Sequence, residues 1–180
     1  MRVRCLPLSA ALAGALLAGP AAAQLAANSN APVDITADEL ETANSACTSI
    51  WRGHAEALQA DTRLRADTLT AEFALKPGGK TGACGDLVRL RAEGSVYYVT
   101  PQQKVHGDLA IYEAASSTLT VTGDVVATQG MNVLRGTRMV FNTETGQGRM
   151  EGAAKGRNKA SRPRAVFYPK QTNTSSGGKR

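Results

Sequence analysis

The chain has 180 residues, 42% of them apolar and only 4% aromatic, enough for one domain with its own core. Its net charge of +6 is a property of the tail: residues 24–152 hold 11 basic and 15 acidic side chains, whereas residues 153–180 hold eight basic ones and no acidic one. That distribution speaks against a nucleic-acid-binding body, and two histidines with no CxxC pair speak against a metal centre or a bound cofactor.

Residues 1–23 have the pattern of a cleavable export signal. Arg2 and Arg4 make a basic start, Leu6 to Ala18 is an apolar run too short to span a bilayer comfortably, and Ala21-Ala22-Ala23 offers a cleavage site before Gln24. Cys5 precedes the apolar run rather than following it, which argues against a lipoprotein signal. Export leaves Cys47 and Cys84 in a compartment where disulfides persist, and a single bridge is their natural pairing; two reduced, buried thiols are the alternative.

The stretch 76-KPGGKTGACGD-86 contains a Gly-Lys-Thr that suggests a phosphate-binding loop. Such a loop needs a glycine five positions before Gly79, where this chain has Ala74, and a helix after it, where no helix-period segment follows. A turn is expected there instead.

Internal similarity is more informative. Gly94, Gly123 and Gly152 are 29 residues apart, and similar blocks open at Ile35, Leu64, Val105 and Leu134, spaced 29, 41 and 29 residues. The period therefore contains one insertion of 12 residues, which includes 76–86. Asp38, Asp67 and Asp108 recur at one position of this repeat, as turn or strand-edge residues would, and no Ser/His/Asp set stands out. Within each repeat apolar and polar residues alternate, as at Val96 and Tyr98, Leu119 and Val121, or Met139 and Phe141. The chain reads as all-β, with about four short strands per repeat, stacked so that two facing sheets share an apolar interior. With many Ala, Val and Leu and few rings, that interior is either a slot or a closely packed core.

The segments 32-PVDITADELE, 53-GHAEALQADTRLRADTLTAEF, the KPGG turn, 107-GDLAIYEAASSTLTVTGDVVATQGMNVLRGTRMVF and 164-RAVFYPKQ, taken together and in this order, resemble the OstA-like lipopolysaccharide-transport proteins of the periplasm. The similarity covers residues 32–171. It implies an open, slightly twisted antiparallel β-jellyroll with an apolar groove along its length, periplasmic localisation and no catalysis. It also implies lipopolysaccharide as cargo, held by the acyl chains of its lipid A, and head-to-tail stacking of copies. Further implied partners are an LptC-like component of the inner-membrane complex and an LptD-like translocon in the outer membrane. On this reading residues 24–152 form the jellyroll domain, and residues 153–180 a basic segment with a last strand near 164–168 and a disordered end.

The register nominates as groove lining Leu40, Leu64, Leu69, Leu90, Val96, Tyr98, Val105, Tyr112, Leu119, Val121, Val125, Met139 and Phe141, each of which core packing would explain equally well. Tyr98 and Tyr112 stand out, because an aromatic body with a polar tip suits the boundary between acyl chain and sugar. Val33 and Ile35 at one end and Val166, Phe167 and Tyr168 at the other are expected on partner-docking strand edges. Three other readings remain distinguishable. An LptC-like receiver of the same pathway would retain its N-terminal anchor. A carbohydrate-active β-solenoid enzyme would cluster carboxylates on one face, and a polyanion binder would depend on residues 153–180.

Overall fold

A computed structural model describes residues 25, 26, 29, 31–76, 83–153 and 162–168. The expected signal peptide, the Gly-Gly-Lys-Thr turn at 78–81 and the chain end after 168 lie outside the described residues. The described chain is almost entirely antiparallel β: β1 (Asp34–Thr36), β2 (Glu39–Ala43), β3 (Thr48–Gln59), β4 (Thr62–Leu75), β5 (Cys84–Val99), β6 (Lys104–Glu113), β7 (Thr118–Gln129), β8 (Asn132–Asn142), β9 (Gly148–Glu151) and β10 (Arg164–Val166). A single 3-10 turn, Ala114–Ser116, joins β6 to β7.

Neighbours in sequence are neighbours in the sheet, in the order β1-β3-β4-β5-β6-β7-β8-β10. Both ends are forked. β1 pairs with the second half of β3 and β2 with its first half, while β10 and β9 divide β8 in the same way.

The strands differ from the sequence expectation in length. Each repeat is one hairpin of two long strands, up to the 16 residues of β5, and not four short ones. The repeat glycines Gly94 and Gly123 lie in bulges inside strands. In β5, Gly94 and Ser95 have φ of +78° and +44°, the pairing with β6 skips between Glu93 and Val96, and the ladder then resumes. Equivalent skips fall at Gly53–His54 in β3 and Gly123–Asp124 in β7. A bulge of this kind bends its strand and raises the local twist, so every long strand has two halves and the sheet folds over on itself. The contact between Tyr98, in the second half of β5, and Phe141, near the end of β8, shows the two halves facing each other, with ring centroids 5.4 Å apart.

The recurring aspartates act at this bend. Asp67 lies against Gly94, Asp38 against Gly53 and Asp108 against Gly123, so closely that a β-carbon on any of these glycines would overlap the carboxylate. In the last repeat Thr137 takes the aspartate's place and its hydroxyl donates to the Glu151 carbonyl at 3.5 Å.

Cross-strand rows of apolar side chains fill the space between the halves. One runs Trp51, Leu69, Ala92, Ala110, Val121, Met139, Met150. On the other half, Ile35, Ala57, Leu64, Tyr98, Val105, Ala127 and Leu134 form a second. Of the two interiors left open by composition, these rows show close packing, with alanines facing larger residues and most members almost fully buried.

The outward face carries the charge. Glu56 pairs with Arg63 and Arg65, Arg89 with Glu72 and Glu113, and Arg138 with Glu151. Exposed pairs of this kind each contribute little; their effect is to keep one face wet and the other apolar. A disulfide joins Cys47, in the β2–β3 turn, to Cys84 at the start of β5, with Cα atoms 5.5 Å apart.

Candidate functional site

Eleven of the thirteen nominated lining residues meet in the shared interior: Leu64, Leu69, Leu90, Val96, Tyr98, Val105, Tyr112, Leu119, Val121, Val125 and Phe141. Met139 is partly buried against them. Leu40 differs. It stands opposite Trp51 in the first row but on the outer strand β2, where nothing beyond it covers the side chain, and it is 59% exposed.

The interior opens through a slit between two rims. One rim is made of hairpin tips, including Ala60, Asp61 and Thr100 to Gln103; the other is the β8–β9 turn, Asn142 to Gly146. Between them lies a cavity of about 450 Å³, with Tyr98 and Phe141 at its base. Tyr98 combines an apolar ring in the core with a hydroxyl that donates to the Leu25 carbonyl at 3.0 Å. Burial, helped by the nearby Tyr112, pushes its phenol well above the usual tyrosine range, so it remains a hydrogen-bond donor at any physiological pH.

Three functional candidates escaped the sequence reading. Gln59 is buried at 3% exposure, and it continues the inward series Ala55, Ala57, so a polar residue on an apolar face was there to be read. Trp51, the one tryptophan of the chain, belongs to the first row by the same alternation. Leu25, 1% exposed in the core, had no signal, because nothing local to its sequence places it in a strand.

At the sheet ends, Val33 and Ile35 are half-buried against the core, while Val166, Phe167 and Tyr168 are exposed. The last strand is shorter than 164–168, ending at Val166; the Tyr168 N–H bonds instead to Asn132 Oδ1 at 3.2 Å. Val166 and Tyr168 line a cleft of about 290 Å³ with Met131, Val133, Arg135 and Arg164. Among the described residues no group of three or more His, Cys, Asp or Glu side chains is placed to hold a metal ion, and no helix is long and apolar enough to cross a membrane.

The sequence and the fold are similar to those of known proteins. Residues 34–147 match the family model described as LptA/(LptD N-terminal domain) LPS transport protein. A search of curated proteins finds no match. Among solved structures, the chain is similar in fold to LptH, the LptA homologous periplasmic component of the conserved lipopolysaccharide transport device from Pseudomonas aeruginosa. The TM-score is 0.63 at 20% identity, over 79% of this chain and 99% of that one. Since the family model spans well over half of the sequence, the chain belongs to the LptA/LptD N-terminal domain family of lipopolysaccharide-transport proteins.

Proposed function

We propose that this chain is a periplasmic carrier that shields the acyl chains of lipopolysaccharide in the interior between its two sheet halves, and that it forms part of a bridge from the inner to the outer membrane. The observation that carries this reading is the continuity of the apolar rows. They run through every long strand from the β1/β2 fork to the β9/β10 fork, so an acyl chain meets similar chemistry at each step. Exposing one methylene to water costs about 0.8 kcal/mol, so a dozen cost on the order of 10 kcal/mol. The rows are closely packed without cargo, so the two halves would part to take a chain, and a lining that removes this cost evenly would let lipid move along it under a push supplied elsewhere. The slit admits the chains, and the sugar and phosphate groups stay outside in water.

The forked ends supply the bridging surfaces. The β1/β2 end would receive an LptC-like inner-membrane partner or a preceding copy, and the β10 end a following copy or an LptD-like translocon, by addition of strands to unpaired edges. Photo-crosslinking residues placed at Tyr98 and Tyr112, with Asp124 on the outer face as control, test the cargo. Lipopolysaccharide adducts at both tyrosine positions and none at Asp124 are expected in cells that export lipid. Equal labelling at all three, or labelling at Asp124 alone, overturns the reading.

A further inference from the structure

The slit is not empty: the chain's own residues 25 and 26 occupy one end of it. Leu25 is inserted into the core beside Tyr98. Its carbonyl accepts the Tyr98 hydroxyl at 3.0 Å, and the N–H of Ala26 donates to Gln59 Oε1 at 2.9 Å. These are the two polar ends of one peptide group. Gln59 is held in position by its other atom, since Nε2 donates to the Ala31 carbonyl at 2.9 Å and to the Ser29 carbonyl at 3.4 Å. A carbonyl and an N–H of a single amide are thus both satisfied, with the aliphatic group on the carbonyl side buried among apolar side chains.

We infer that Gln59 and Tyr98 form a binding site for the secondary amide of a long-chain N-acyl amine, and that Leu25–Ala26 occupies this site as an internal stand-in. An N-linked acyl chain has the same order of groups: hydrocarbon, carbonyl, N–H, then a polar amine-bearing body. Bound in the same sense, its hydrocarbon would lie where Leu25 lies and its sugar would lead out through the slit. An ester-linked chain has no N–H and leaves Gln59 Oε1 without a donor, which costs the full desolvation of a buried acceptor. The pair therefore selects amide-linked from ester-linked chains, and the Leu25–Ala26 segment must leave before cargo enters. This rests on the lipid-carrier reading above and specifies which part of the lipid the slit recognises.

Two single-chain probes, used below their micellar concentrations in calorimetric titrations of the full exported chain, test it: N-dodecanoylglucosamine, which has the amide, and dodecyl glucoside, which lacks it. Added to Leu25→Asp, which displaces the competing peptide held by the same two side chains, Tyr98→Phe and Gln59→Met are each expected to weaken the amide probe about tenfold, the value of one lost hydrogen bond, and to change the glucoside less than twofold. Leu25→Asp lies outside the sheet and leaves its walls intact; it is expected to tighten the amide probe about tenfold by vacating the site. Equal weakening of both probes by Tyr98→Phe and Gln59→Met, or an unchanged amide affinity in Leu25→Asp, overturns the inference while the carrier reading stands. Failure of both probes to bind both the unaltered chain and Leu25→Asp removes the carrier reading as well.

Discussion

Gly94 and Asp67 stand in mutual close approach at the bend of β5. A β-carbon at Gly94 meets both a positive φ and the carboxylate, so Gly94→Ala is expected to lower stability by about 2 kcal/mol or more. Adding Asp67→Ala should restore part of that loss, because it removes the carboxylate and leaves the backbone strain and a 2.9 Å approach to the β-carbon of residue 67; urea unfolding of the two single and one double variant measures the coupling. At the equivalent bend of β3, His54 Nδ1 stands 3.1 Å from Asp38 Oδ2, and this hydrogen bond, reinforced by the Asp38 charge, raises the imidazole above its ordinary value. A raised folded-state pKa means that the contribution to stability is complete below the unfolded value, about 6.5, and is lost as pH rises through the folded one. Proton titration of His54 by NMR should give a value above that of an unfolded control, and Asp38→Asn should abolish the difference. The period of Asp38, Asp67 and Asp108 was visible in the sequence, but their partners were not: Asp67 and Gly94 are on different strands, brought together by a bulged register that no local pattern encodes.

Among the elements, the alternation of apolar residues located the strands, and the inward face was correctly read at Val96, Tyr98, Leu119, Val121 and Phe141. Strand length was not legible, because a glycine that ends a strand and one that bends it look alike; only the register of both neighbours distinguishes them. The same ambiguity hides the disulfide's mechanical role. Cys84 begins β5 directly after the β4–β5 connection, and its bridge to Cys47 fixes that end of the hairpin to the β2–β3 turn. The Phe73 N–H also bonds to the Cys47 carbonyl at 2.8 Å, so the turn is held from two sides. With the cysteines 37 positions apart in sequence, replacing both by alanine is expected to cost about 4 kcal/mol on the chain-entropy model. Urea midpoints of the oxidised chain and the double variant should separate accordingly, whereas coincident midpoints would show that the turn is fixed without the bridge.

For the whole molecule, an antiparallel sheet with two different forked ends has a direction, and copies that pair unlike ends add head to tail. Phe167 and Tyr168, just past β10, are exposed apolar side chains at one end of the sheet. Proline at position 165, which pairs with Leu134, would disrupt the β10 pairing that presents this end. Ala165→Pro should therefore reduce concentration-dependent association in sedimentation velocity while the thermal midpoint changes by only a few degrees. Association unaltered by this substitution would place the contact between copies elsewhere. Sequence reasoning could locate these ends, because the repeat has a first and a last member, but it could not show that Leu40 at one fork is bare while Ile35 at the other branch is covered. That depends on which half of β3 each short strand joins.

The bend of the sheet is made by aspartate and glycine at the corner, whereas the inward rows are aliphatic and aromatic and, on the reading proposed above, would meet the occupant. Shape and contact with cargo would then fall to separate residues. The rows can be widened, narrowed or given a polar tip without altering the curvature, and the corner can be kept while the cargo changes. On the carrier reading proposed above, one scaffold of this kind can be retuned to acyl chains of different length by substitutions at a few inward positions, at the cost in stability that changes in a packed interior carry.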